Sequence, residues 1–123
     1  MRIRQRRLKQ YHHRAAIPKK DDEGNSYVEY GEESQFLAEM WPAGGKMQAE
    51  LYGMRLPYIR NLRVEGEYET LSGADGREYY RVSGMDLREG DGICMNVPGD
   101  RDPDYKVVSI RPYRFLTLEV EKL

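Results

Sequence analysis

A single cysteine, Cys94, rules out an intrachain disulfide, and two adjacent histidines, His12 and His13, supply all the imidazole in the chain. No apolar run approaches the roughly 18 residues that a membrane helix requires. The opening segment, MRIRQRRLKQYHHR, has neither an apolar stretch nor a small-residue cleavage site, so no secretory signal and no membrane partner are expected. Repeats and low-complexity tracts are missing too, which sets aside fibrous and solenoid architectures. What remains is 123 residues, 39% hydrophobic and 33% charged, a size and composition suited to one globular domain over 1–123 with a modest core.

The formal net charge of -1 conceals a strong asymmetry. Residues 1–20 contain eight basic side chains and no acid, whereas the other 103 residues contain twelve basic and twenty-one acidic ones. A basic N-terminal arm at about 1–10, with Arg2, Arg4, Arg6 and Arg7 as its candidate contacts, therefore precedes an acidic body. Such an arm suits a phosphate backbone or an acidic surface on another copy of the chain. The body itself would repel DNA unless the arm or an oriented face made the contact.

Ten tyrosines and recurring Val, Ile and Thr, set between glycine-bearing breaks, are the chemistry of short strands. Strands are predicted at about 8–17, 27–30, 35–41, 56–64 (bent near Pro57), 92–97, 106–111 and 114–121. A hairpin is expected within 67–84, around Gly73–Gly76. In the last strand Leu116, Leu118 and Val120 alternate with Thr117, Glu119 and Glu121, the period-two mark of a half-buried strand. Asp21–Asn25 reads as a turn. Between strands, KMQAELYGM changes period: Met47 and Leu51, four apart, suggest a two-turn helix with its apolar side laid over an open end of the sheet, closed by Gly53. The fold expected is mostly β: a small antiparallel β-barrel of about six to eight strands with one short α-helix and a long internal loop. Closure protects strand edges that a chain of this size could not otherwise hide.

Catalytic and metal-binding patterns are weak. His12 and His13 point to opposite faces of any strand, so they suit neither a shared metal nor a nucleophile–base pair, and exposed strand positions are expected for them. Cys94 reads as a core residue. Asp100, Asp102 and Asp104 begin a calcium-loop spacing, but Tyr105 stands where the loop needs glycine and Arg111 where it needs glutamate, so a solvated turn is expected. AGGKMQ lacks the first glycine of a phosphate loop, with Met40 in its place, and Met47 replaces the magnesium-binding hydroxyl. No catalytic residue, cofactor or metal is indicated, and an enzyme is not expected.

An interface is better supplied. Trp41, Met47, Tyr52, Met54, Arg55 and Tyr58 are residue types enriched in interface cores, gathered in the one stretch, 42–58 and its flank, that lacks strand character.

KKDDEGNSYVEYGE at 19–32, FLAEMWPAGG at 36–45, KMQAELYG at 46–53, LPYIRNLRV at 56–64, REGDGI at 88–93 and PDYKVVSIRPYRFLTLEVEKL at 103–123 together resemble the head-tail joining (head-tail connector, or stopper) family of tailed bacteriophages and prophages. Residues 65–87 and the basic start depart from that pattern. The resemblance implies a structural β-barrel subunit that forms a ring beneath the portal, extends or closes the DNA channel and docks the tail. Its implied partners are further copies of itself, a portal or adaptor protein, a tail-completion protein and, transiently and non-specifically, DNA in the channel. The implied location is the virion neck, after assembly in the host bacterial cytoplasm. By position, 42–58 matches the loop that narrows the bore in related proteins, with Lys46, Tyr52, Met54 and Arg55 as its exposed members. Subunits would be joined by the last strands or by the basic arm on acidic neighbours. The alternatives are another neck or tail-completion protein, or a small stand-alone nucleic-acid-binding β-barrel.

Overall fold

The computed structural model describes residues 5–123, so Arg2 and Arg4 of the arm lie outside the described residues. After a 3-10 turn at Gln5–Arg7 the chain forms β1 (Lys9–Lys20), β2 (Ser26–Pro42), α1 (Gly45–Tyr52), a 3-10 segment (Gly53–Tyr58), β3 (Ile59–Val64), β4 (Tyr68–Ser72), β5 (Glu78–Val82), β6 (Met85–Leu87), β7 (Gly92–Cys94), β8 (Tyr105–Pro112) and β9 (Leu116–Lys122). Six strands close an antiparallel barrel in the order β1-β2-β3-β9-β8-β7, and β4-β5-β6 form a separate three-stranded sheet. The small β-barrel with one short helix is the architecture expected from the sequence.

The apolar halves of the strands face inward. Tyr11, Phe36, Ala38, Leu62, Val64, Leu116, Leu118 and Val120 are buried in one core, each large side chain contributing roughly 1.5–3 kcal/mol on leaving water. Tyr80, Val82, Met85 and Leu87 of the second sheet join that same core. Residues 65–87 therefore cap the barrel, a role expected for the apolar side of α1, Met47 and Leu51. The expected hairpin is present, with the Gly73 N–H donating to the Arg77 carbonyl at 2.8 Å across its turn.

Several boundaries differ from expectation for local reasons. The two short strands predicted within 27–41 are one strand, β2, because the turn at Asp21–Asn25 pairs it with β1 along almost its full length. The Asp21 carboxylate accepts the N–H groups of Asn25 (2.8 Å) and Glu23 (3.0 Å), which hold it below the usual carboxylate range. Strand β7 ends at Cys94 rather than Val97, because the Asp104 carboxylate takes the N–H groups of Met95 (2.8 Å) and Asn96 (3.0 Å) and bends the chain away. Asp104 is thus a structural anchor, not part of a merely solvated turn, while Asp100 and Asp102 are exposed.

His13 corrects a second expectation. It is buried, 3% exposed, with Nε2 2.7 Å from Asp91 Oδ2. Asp91 also accepts the N–H groups of Ala16 and Arg88, each at 3.0 Å, and so joins β1 to the exit of the cap sheet. Arg14 makes a comparable clamp, its guanidinium donating to the carbonyls of Gly31, Tyr30 (3.0 Å), Gly99 (3.3 Å) and Arg101 (2.8 Å). A Cβ at Gly92 would collide with the Pro103 ring and the edge of Tyr30, so only glycine lets these elements meet. Cys94 is buried as expected, and burial pushes its thiol up.

Candidate functional site

The stretch between β2 and β3 leaves the barrel wall as an excursion. Gly45 enters α1 at φ +82°, a left-handed conformation that suits glycine. The helix has no side-chain cap at Gly44; instead the Gly44 N–H donates to Gln48 Oε1 at 3.0 Å. Gly53, at φ +55°, ends the helix with its N–H on the Ala49 carbonyl, and the chain winds back to β3 through the 3-10 segment containing Pro57.

The excursion is held to the barrel by polar groups. Gln48 Nε2 donates to Asn61 Oδ1 on β3 (2.7 Å) and to Glu119 Oε2 on β9 (2.6 Å). Arg111 Nε on β8 donates to Glu119 Oε1 at 3.0 Å. Glu119 is 3% exposed. Burial alone would push its carboxyl up, but bonds from Gln48, Arg111 and the Tyr52 hydroxyl more than reverse this and hold it below the usual range. Tyr52 in turn is pushed up to about 12, first by burial and then by the Glu119 charge. Arg55 forms a two-point ion pair with Glu121, at 2.9 and 2.6 Å. Between α1 and the outer face of β3, β8 and β9 lies a groove of about 710 Å³. Trp41, Met47, Leu51 and Tyr113 line it above a floor that includes Asn61, Thr117 and Glu119. The Arg63 guanidinium lies 5.0 Å from the Trp41 ring centre and 5.8 Å from that of Phe115.

The predicted interface residues divide cleanly. Met54 is 94% exposed and Met47 85%, while Tyr58, Lys46 and Arg55 are also exposed and Trp41 is half-buried. Tyr52 is the exception: expected on the surface, it is buried against Glu119. Met47 and Leu51, expected to lie packed over the sheet, instead stay exposed along the side of the groove, because the polar Gln48 and the amphipathic Tyr52 take the inward positions of α1. In the arm, Arg6 and Arg7 are exposed, and Arg7 reaches Glu39 at 3.4 Å. Of the last two strands, β9 is paired on both sides, by β3 and β8, whereas β8 meets β7 only at Tyr105 and Lys106 and has no other strand on that side among the described residues.

Gln48, Asn61, Arg63, Arg111 and Glu119 are not singled out by the sequence pattern. Alternation places Glu119 on the outer face of β9, correctly, but nothing local says that α1 covers that face. Among the described residues no three His, Cys, Asp or Glu side chains gather where they could hold a metal ion, and no helix is long and apolar enough to cross a membrane. No protein-family model, curated protein or solved structure matches the chain.

Proposed function

We propose that this protein is a structural subunit of a bacteriophage head-tail connector, forming a ring beneath the portal that extends or closes the DNA channel and docks the tail. The reading starts from the resemblance in strand order and spacing set out above. The observation that carries it here is the excursion: Met54, Met47, Leu51 and Tyr58 stand exposed on a short helical segment tied to the barrel by polar bonds. Large exposed apolar side chains gathered on one segment favour a protein contact. A ring repeats a weak contact around a closed circle, so no single interface need be strong.

The test is negative-stain imaging of the chain alone and mixed with its cognate portal protein. Rings that dock on the portal, and that fail to dock when Met47 and Met54 are both replaced by Ser, are the expected result. Absence of any portal complex, together with salt-sensitive binding of the isolated chain to DNA, would overturn the proposal in favour of a nucleic-acid-binding barrel.

A further inference from the structure

We propose that the free edge of β2, from Ser26 to Phe36, receives the basic N-terminal segment, residues 1–8, of a second copy of this chain as an added β-strand. On one side β2 pairs with β1; on the other, β3 meets it only over Ala38–Pro42. Over Ser26–Phe36 no strand pairs with that second side among the described residues. Beyond the barrel, β1 and β2 thus form a two-stranded ribbon with unequal edges.

The difference between those edges names the acceptor. On β1 the outer edge carries Pro18, Lys19 and Lys20, the devices that keep an edge from pairing. Residues 26–36 of β2 contain neither proline nor lysine. The charged residues there are Glu29, Glu32 and Glu33, all exposed, beside Tyr27 and Val28 at 44% and 50% exposure. Lys19 on β1 lies 3.6 Å from Glu29 and His12 lies 3.1 Å from Glu33, so Glu32 is the acid there with no ion-pair partner among the described residues. Two such edges laid together would set carboxylate against carboxylate, which disfavours symmetric pairing. The complementary segment in this protein is its own start: Arg2, Arg4, Arg6 and Arg7 with no acid, and Met1 and Ile3 to meet the exposed apolar groups. To join the edge, the 3-10 turn at Gln5–Arg7 must open and Arg7 must leave Glu39. Arg14 already holds the carbonyls of Tyr30 and Gly31, so the added strand makes its ladder bonds on either side of that point.

The chain's own arm sits elsewhere. Strand β1 begins at Lys9 opposite Ala38, and Arg7 rests on Glu39, at the end of β2 away from Ser26. Glu29 is about 30 Å along the strand from Ala38. An arm from another copy can approach the Ser26 end directly. Its contact is head-to-tail, one copy's arm on the next copy's edge, the kind that closes into rings. It therefore rests on the self-assembly part of the connector reading and supplies the subunit contact that reading needs.

Two single-cysteine proteins test it: Cys94→Ala with Arg4→Cys, and Cys94→Ala with Val28→Cys. Mixed under mild oxidation they should form a mixed disulfide dimer in higher yield than either forms with a control bearing Glu50→Cys. Sedimentation velocity supplies the second measurement. Glu29→Lys/Glu32→Lys and Arg2→Glu/Arg4→Glu/Arg6→Glu should each weaken self-association by at least about tenfold, and mixing the two should restore it. No preference in the mixed disulfide, no recovery on mixing, or full association after deletion of residues 1–8 would each overturn the proposal. Portal-docked rings that persist without residues 1–8 would defeat the arm contact while leaving the connector reading intact. A mixed disulfide without any portal complex would do the reverse.

Discussion

Two segments interrupt the succession of barrel strands, and the barrel treats them oppositely. The cap sheet, β4 to β6, sends Tyr80, Val82, Met85 and Leu87 into the core, so its apolar groups are inseparable from the fold. The excursion of α1 and the 3-10 segment sends in only Gln48 and Tyr52, and keeps Met47, Leu51, Met54 and Tyr58 outside. One insertion is held by hydrophobic burial, the other by hydrogen bonds to a buried carboxylate. Burial of many apolar atoms is large and non-directional, whereas a few hydrogen bonds contribute modestly and depend on protonation. The cap belongs to the folding unit, and the excursion is the part whose large apolar side chains stay exposed.

The largest effect should come from the cap. Leu87→Ala opens a cavity beneath it and should lower the stability of the whole domain by about 2–5 kcal/mol, read as one cooperative urea transition shifted to lower midpoint. A separate early transition confined to 65–87 would break the comparison, because the cap would then be an independent unit.

An intermediate effect should come from the polar tether. Because Glu119 is held below its ordinary value of 4.5 in the folded chain, its contribution is fully present above that pH and is lost as pH falls through the folded value. Glu119→Gln should therefore cost about 1–3 kcal/mol at neutral pH, and the gap from the parent chain should narrow in acid. Thermal melts from pH 7 to pH 3 read this directly, and a gap that widens in acid would show that Glu119 is not the tether's charged member. Asp21, Asp86 and Glu121 are lowered as well, so the parent chain itself should soften in acid; only the difference between the two proteins isolates Glu119.

The smallest effect on stability should come from the excursion's outer side. Met47→Ser and Met54→Ser remove exposed methionines and should each change stability by no more than about 0.5 kcal/mol. A larger loss, seen in the same melts, would mean that the excursion is folded against the barrel more tightly than its exposure indicates.

Legibility followed the range of the interactions. The turn at Asp21–Asn25, the alternation of β9 and the hairpin around Gly73–Gly76 are written in neighbouring residues, and the structure contains all three, except that β9 is buried on both faces from Leu116 to Val120 rather than half-buried. The inward side of α1 was not readable in this way. Met47 and Leu51 at helical spacing suggest an apolar underside, yet the surface waiting for the helix is polar because Glu119 and Asn61 lie on it, 71 and 13 residues from Gln48. His13 is similar: its partner Asp91 is 78 residues away, and nothing near position 13 announces it.

Composition and periodicity alone determined that this chain is a short-stranded β protein with a basic start, an acidic body and a segment at 42–58 that breaks the strand pattern. These follow from local geometry, in which side chains alternate every two residues and turns need particular backbone angles. Only the tertiary structure decided that 65–87 caps the barrel, that Glu119 and His13 are buried, and that Tyr52 is buried while Met47 stays exposed. Each depends on which distant surface arrives to cover a residue, and that is set by barrel closure rather than by any stretch of sequence.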